Sequence, residues 1–231
     1  MNNETGIRKD MTIDSCNGHS GSDLWKFDMH VHSVYSGDSL NEPEMIVDSF
    51  RQTGVLPLVC DHNSTAGSEV VYHYIRKISP EVPEILAEEI MTRQGEVIGL
   101  FLTEMVTTYL GLGETLDIIH DQGGLALVPH PFCYFRGSTL WEDYRCEEIA
   151  DIDIVEGFNA RIIYVKDNAA AQEFAIRHGK PISVGSDSHI QEDLGRYWLE
   201  LEPFSTPEEL MKALRSDMVR YPVLQKRMNE D

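Results

Sequence analysis

Trp25-Lys26-Phe27-Asp28-Met29-His30-Val31-His32 reads as a β-strand that finishes on two histidines, and the same design returns along the chain. On a strand, residues two apart point the same way, so both imidazoles face one side. Leu56–Cys60 is a short apolar strand followed at once by Asp61-His62. Glu84–Glu89 ends on an acid, and Val97–Leu102 is a further strand. Leu125–Val128 runs into Pro129-His130-Pro131, Ile152–Phe158 carries Glu156, and Pro181–Val184 leads to Asp187-Ser188-His189, where the two-residue spacing recurs.

Helical patterns fill the intervals. Asn41–Gln52 is predicted helical with Asn41 as N-cap and Glu44 three residues on, and Gly67–Ile78 is the next helix. Leu116–Gln122 stops at Gly123-Gly124, and Lys166–His178 stops at Gly179. Thr206-Pro207-Glu208-Glu209 is a capping box that opens a C-terminal helix. Short strands alternating with helices predict parallel pairing and βαβ units. No GxGxxG follows the first strand, so the dinucleotide-binding fold lacks its signature. One α/β domain over residues 25–231, a (β/α) barrel-like unit, is expected. Residues 1–24 are polar and without period, and a disordered tail is expected there.

In a parallel barrel the C-terminal ends of the strands gather on one face, where active sites lie. That is where His30, His32, Asp61, His62, Glu89, His130, Glu156, Asp187 and His189 all fall, a phase that scattered polar residues have no reason to keep. Imidazole with carboxylate suits Zn, Mn, Fe or Ni better than Ca or Mg alone. His19, His73, His120 and His178 lie off the pattern and read as surface or core residues.

Composition sets limits. The chain has 231 residues, a 42% hydrophobic fraction and four cysteines, with no CxxC pair among them. No run is apolar enough for a signal peptide or a membrane span, so a soluble protein of a reducing, cytoplasmic compartment is expected. A net charge of −20 argues against a long nucleic acid as partner, since that affinity rests on Lys and Arg contacts to phosphates. A small phosphate ester is compatible, because bound divalent cations invert the local field.

The order of the motifs resembles the polymerase and histidinol phosphatase (PHP) domain family. The matching segments are Asp28-Met29-His30-Val31-His32-Ser33, Cys60-Asp61-His62-Asn63-Ser64-Thr65, Glu88-Glu89-Ile90, Val128-Pro129-His130-Pro131, Val155-Glu156-Gly157-Phe158-Asn159 and Gly185-Ser186-Asp187-Ser188-His189, within residues 25–200. The resemblance implies a distorted (β/α)7 barrel with two or three divalent metals, Mn, Fe or Zn. His30, His32, Glu89 and Asp187 would hold one metal. Glu89 would bridge to a second, shared with His130 and Glu156, and His62, His189 and Asp38 would hold a third. Two departures stand out. Family members often carry His or Glu after Glu89 in a Gly-His-Val-like segment where this chain has Gly95-Glu96-Val97, leaving Glu96 a ligand or a supporting group. Glu156 stands where some members place a histidine.

Metal-dependent phosphoester hydrolysis follows as the expected reaction, by attack of a metal-bridging hydroxide, with Asp187, His62 and His189 in the catalytic set. Arg136 and Arg161 lie just past strand ends and suit bidentate contact with phosphate, or else make surface ion pairs; Arg196 is a weaker candidate. Asp61 is expected to orient a ligand histidine. Cys133 near His130 is a nucleophile or an inert thiol, and Tyr134 and Phe135 stack on a base or sugar or simply pack. Phe132–Glu148 is the longest insertion near the site. The rival readings are an exonuclease-type phosphodiesterase and a non-catalytic metal-binding regulatory module.

Overall fold

A computed structural model describes residues 24–133, 135–140 and 149–221. The tail expected over residues 1–24 therefore lies almost wholly outside the described residues, as do Tyr134 and half of the Phe132–Glu148 insertion. The strands are β1 (Trp25–Val31), β2 (Val55–Val59), β3 (Ala87–Met91), β4 (Glu96–Leu100), β5 (Leu125–Val128), β6 (Ile154–Asn159), β7 (Ile182–Gly185) and β8 (Leu199–Leu201). The helices are α1 (Pro43–Thr53), α2 (Ala66–Ile78), α3 (Leu112–Asp121), α4 (Val165–Arg177) and α5 (Pro207–Leu214). Among the described residues no helix is long and apolar enough to cross a membrane.

The strands form two sheets in a single mixed α/β domain, one ordered β2-β1-β8 and the other β3-β4-β5-β6-β7. β2, β4, β5 and β6 are buried along their whole length, the signature of sheets covered on both faces. In the larger sheet the residues divide with period two. Ile98, Leu100, Leu125, Leu127, Ile154 and Phe158 join the main core. Val97, Ala126, Val128 and Val155 turn the other way, onto Leu112, Leu116 and Ile119 of α3 and Phe174 of α4. Glu89, Glu96 and Glu156 fall in the phase of the first set, so the same alternation that builds the core also delivers three acids to one face.

The expectation of all-parallel pairing is corrected. β1–β2, β5–β6 and β6–β7 are parallel, but β3–β4, β4–β5 and β1–β8 are antiparallel. Only Thr92–Gly95 separates β3 from β4, far too short for a crossover, and a hairpin is the sole connection available. Thr92 closes it by donating its N–H and its hydroxyl to the Gly95 carbonyl.

Asn41 is also not an N-cap. The helix starts at Pro43 with Glu42 in the cap position. Asn41 is buried, and its side-chain amide donates to the carbonyls of His32 and Ser188. Tertiary bonding has outbid the local signal. At α5 Thr206 caps as expected, accepting from the Glu209 N–H, while the Glu209 carboxylate accepts from the N–H of Ser205, one residue before the cap.

The sheets meet at two seams. An isolated parallel bridge pairs Val31 with Ser188, and another pairs His62 with Glu89. The supporting bonds are Asp187 N–H to His30 O (2.7 Å), His32 N–H to Ser188 O (3.0 Å), Glu89 N–H to Asp61 O (3.1 Å) and Asn63 N–H to Glu89 O (2.9 Å). Both seams are sewn by the segments that bear the histidine and acid motifs. A register shift between Asp28 and Val31 marks a bulge in β1 just before His32, a device that re-aims side chains beside active sites.

Candidate metal centre

The strand ends bring four side chains of the first group to one point. His30 Nε2 and His32 Nε2 lie 3.0 Å apart. The Glu89 carboxylate is 3.6 Å from the first and 3.3 Å from the second, and Asp187 Oδ1 is 3.8 and 3.6 Å from them. Ligands held about 2.1 Å from a shared ion in tetrahedral array stand about 3.4 Å apart, so this spacing fits one. Asp187 has φ 53° and His130 φ 32°, left-handed backbone that non-glycine residues adopt at a cost and that clusters at functional sites.

Glu89 continues into a second group. Its Oε1 is 3.2 Å from His130 Nε2, which is 3.7 Å from Glu96 Oε2, and Glu96 Oε1 is 3.6 Å from His62 Nδ1. A third group forms at the rim, where Asp38 Oδ2 is 3.5 Å from His62 Nε2 and 3.2 Å from His189 Nε2.

Glu156 is placed differently from the expectation that it share a metal with His130. Its Oε1 faces His30 Nδ1 at 3.0 Å, behind the ring. Its Oε2 accepts from the His130 N–H and from Asn159 Nδ2. Glu96 is the acid that faces His130 Nε2. Gly185 makes room for Glu156, because a Cβ there would fall on the Glu156 carboxylate.

Asp61 points away from the ring nitrogens. It accepts from the Ser33 N–H (2.6 Å), the Ser33 hydroxyl (2.7 Å) and the Ser36 hydroxyl (2.8 Å). Ser36 Oγ is in turn 2.8 Å from His32 Nδ1 and accepts from the His62 N–H. The relay from Asp61 through Ser36 puts the proton of His32 on Nδ1 and leaves Nε2 as a lone pair aimed at the cluster. Glu156 does the same for His30.

Several contributors were not singled out in the sequence. Asn159 Nδ2 bridges Glu156 and Asp187, 3.0 Å from each. Asp28 accepts from the Ser186 and His30 N–H groups, tying β1 to the segment that carries Asp187. The buried Cys60 thiol stands among His30 and His32 as a further potential ligand, and burial pushes its pKa up. Their signal was membership of the matching segments: Asp28 opens the one with His30, Cys60 the one with Asp61-His62, and Asn159 closes the one with Glu156. Arg136 pairs with Asp187, and Arg161 Nη1 lies 2.7 Å from His189 Nδ1 and 3.6 Å from Asp187 Oδ1. Cys133 is buried. Arg196 is exposed, His120 pairs with Asp153, and His178 packs on Phe174, all away from the cluster.

Burial opposes every charge here, yet the groups polarise one another. Against burial, the Glu89, Glu96 and Asp38 carboxylates push His62 up to about 9. Burial and the neighbouring His32 bring His189 down to about 4. Burial opposes the ionised form of Asp187, but His30, Arg136 and His32 hold it well below the usual carboxylate range. Burial and the adjacent Glu89 raise Glu96. Glu89 Oε2 and Asp187 Oδ1 are buried without an aligned hydrogen-bond donor among the described residues. Buried carboxylate oxygens left without donors, facing imidazole lone pairs, are what a divalent cation satisfies, so the residues present fit one.

A family model described as PHP-associated matches residues 165–219. An uncharacterized protein of Methanocaldococcus jannaschii is 32% identical over 200 residues, covering 82% of this chain and 79% of the relative. A second from that organism is 35% identical over 149 residues, 58% of this chain and 82% of the relative. Among solved structures, a two-domain protein from Bacteroides vulgatus containing a predicted PHP-like metal-dependent phosphoesterase superimposes with TM-score 0.65 at 18% identity, over 90% of this chain and 68% of the other. A lesion-specific endonuclease from Pyrococcus furiosus gives TM-score 0.63 at 19% identity, over 86% of this chain and 57% of the endonuclease. The chain belongs to the PHP domain family.

Proposed function

We propose that the protein is a metal-dependent phosphoesterase acting on a small phosphate monoester. The observation that carries this reading is the convergence of His30 Nε2, His32 Nε2, Glu89 and Asp187 at ligand spacing, with Arg136 and Arg161 reaching the same Asp187. His30, His32, Glu89 and Asp187 would hold a first metal, and Glu89, His130 and Glu96 a second, with Glu156 supporting from behind. His62, His189 and Asp38 would hold a third. Mn, Fe or Zn suits this mixture of imidazole and carboxylate. Such ions, when bound, lower the pKa of water and neutralise charge on a phosphoryl group.

The chain's own residues do the remainder. Arg136 and Arg161 offer planar donors to the non-bridging phosphoryl oxygens and orient the ester. Their partner Asp187 keeps both guanidiniums aimed at the cluster. The Asp61–Ser36 relay and Glu156 hold the His32 and His30 protons on Nδ1. Where the third position is unfilled, His62 and His189 stand at the rim beside Asp38, placed to pass a proton to or from the ester. In the same reading the two sheets make a distorted (β/α)7 barrel, and the buried thiols Cys60 and Cys133 suit a reducing cytoplasm.

The test is phosphate release from a panel of monoesters by protein loaded with Mn, Fe or Zn, beside Asp187→Asn. Turnover lost in the variant supports the reading; a folded, metal-loaded protein inert on every ester counts against it. The fold shared with the Pyrococcus furiosus endonuclease makes labelled oligonucleotides a necessary arm, and cleavage there alone would favour the phosphodiesterase reading.

A further inference from the structure

Glu156 and Asp187 stand at the two nitrogens of the His30 ring. Glu156 Oε1 is 3.0 Å from Nδ1, and Asp187 Oδ1 is 3.8 Å from Nε2. Both carboxylates are buried, and the remaining oxygen of each meets the same nitrogen. Asn159 Nδ2 is 3.0 Å from Glu156 Oε2 and 3.0 Å from Asp187 Oδ2. A side-chain amide has two N–H donors, so one goes to each acid. Its orientation is fixed by its other end, where Asn159 Oδ1 accepts from the Arg161 N–H at 3.0 Å. The flipped amide would set an oxygen against two carboxylate oxygens.

The strand is built to bring this about. Glu156 and Asn159 are three residues apart, and on an unbroken strand they would point to opposite faces. In β6 the register slips between Glu156 and Phe158, so that Glu156 lies opposite Ser183 and Asn159 opposite Gly185. Those partners are two apart on β7 and share a face, and the extra residue of the bulge turns Asn159 in beside Glu156. Asn168 of α4 then grips the Asn159 backbone, accepting from its N–H at 3.0 Å and donating to its carbonyl at 3.2 Å.

Two like charges in a dry site need donors if both are to stay ionised. Asn159 gives one to each without adding a charge, and it takes one oxygen of each acid out of play. Asp187 Oδ2 also accepts from Arg136, and Glu156 Oε2 from the His130 N–H. Two oxygens remain. Asp187 Oδ1 faces His30 and His32, buried without an aligned hydrogen-bond donor among the described residues, and Glu156 Oε1 faces His30 Nδ1.

We infer that Asn159 is a positioning residue that assigns the four oxygens of Glu156 and Asp187: Oε2 and Oδ2 to the protein, Oδ1 to the metal, and Oε1 to the ring that binds it. This role rests on the proposed metal centre and not on the ester chemistry, so metal binding tests it even in a protein inert on every ester.

The experiment uses Asn159→Asp, which keeps the shape of the side chain and the oxygen that accepts from Arg161 but turns the donor into an acceptor. Zinc affinity is measured by competition with a chromophoric chelator, and the visible absorption of the cobalt-loaded protein reports the ligand set. Asn159→Asp should bind zinc about 10–100-fold more weakly than the parent, as loss of a support behind a ligand does, and its cobalt bands should shift. Asn159→Ala, which removes the donors without adding a charge, should move both readouts in the same direction, and it decides the matter if Asn159→Asp does not fold. Zinc held as tightly as in the parent, or more tightly, overturns the role. So does weaker binding with unchanged cobalt bands, which a general effect of charge or folding would give. A parent that binds neither ion refutes the metal centre itself, whereas a parent that binds both beside variants that do not differ from it refutes Asn159 alone.

Discussion

Ser36→Ala removes a single hydroxyl that serves three groups. It takes away the partner of His32 Nδ1 at 2.8 Å, a donor to Asp61 at 2.8 Å and the acceptor of the His62 N–H at 3.0 Å. A net hydrogen bond contributes about 1 kcal/mol, and a stranded buried donor costs about 1–3 kcal/mol, so a destabilisation of about 2–3 kcal/mol is expected. In a domain of this size that lowers Tm by roughly 5–10 °C. The larger consequence falls on His32. Without Ser36 nothing fixes its proton on Nδ1, and the Nε2 lone pair is no longer guaranteed to face Glu89 and Asp187. Loss of such a support typically weakens metal binding about 10–100-fold. Competition with a chromophoric chelator for Zn or Mn measures the affinity, and thermal unfolding of the same samples measures stability. Ser36→Thr, which keeps the hydroxyl, should retain metal close to the parent level. A folded Ser36→Ala protein that binds metal as tightly as the parent would refute the relay.

Other outcomes are expected elsewhere. Gly67→Ala puts a Cβ onto Asp61 Oδ2 and Ser33 Oγ, so it should cost about 3 kcal/mol or more in thermal or urea unfolding by breaking that buried network. Asp187→Asn should lower bound metal by one equivalent by elemental analysis, and phosphate release about a hundredfold or more, equivalent to about 2.7 kcal/mol of barrier. Chelation should lower Tm and added Mn restore it, since an ion at about 100 times its Kd stabilises by about 2.7 kcal/mol. Glu88 faces away from the cluster, accepting from the Val106 N–H, and burial pushes its pKa up to about 7. A carboxyl raised on folding lends its stability below its ordinary unfolded pKa and loses it as pH rises through 7. Glu88→Gln should therefore match the parent near pH 4.5 and exceed it in Tm at pH 8; an equal gap at both pH values would sink the assignment.

Much of the site could be read before the fold was known, because period-two strands and polar strand ends leave a visible phase. His30 and His32 needed only their spacing to be paired. Their partners needed the third dimension. Glu96 and Glu156 both fall on the inner face, and the sequence holds nothing to say which one meets His130. That choice depends on how β4 and β6 stand across the sheet, and on Gly185 opening a space behind His30 for Glu156. Asn41 was misread for the opposite reason: its local signal was sound, but two carbonyls from distant segments claimed its amide. The hairpin from β3 to β4 was legible in the seven residues the sequence leaves between Glu89 and Val97, too few for a crossover, and was overridden by the alternation of the rest. Asn159 closes the segment that carries Glu156, and Ser36 stands two residues before Asp38, but neither announced a role of its own, since a supporting residue is defined by what it touches.

The two seams give this site an order of assembly. Its side chains come from residues 30 to 189, and the backbone bonds that bring them together are the same ones that close one sheet on the other. During synthesis the early histidines and Glu89 emerge long before Asp187, and until then Glu89 and Glu96 have no full set of counter-charges. Assembly of the cluster thus waits on the segment after β7, and a chain stopped short of it would carry acids and imidazoles with nothing to hold them in place. Loading of an ion there would certify that synthesis has passed His189.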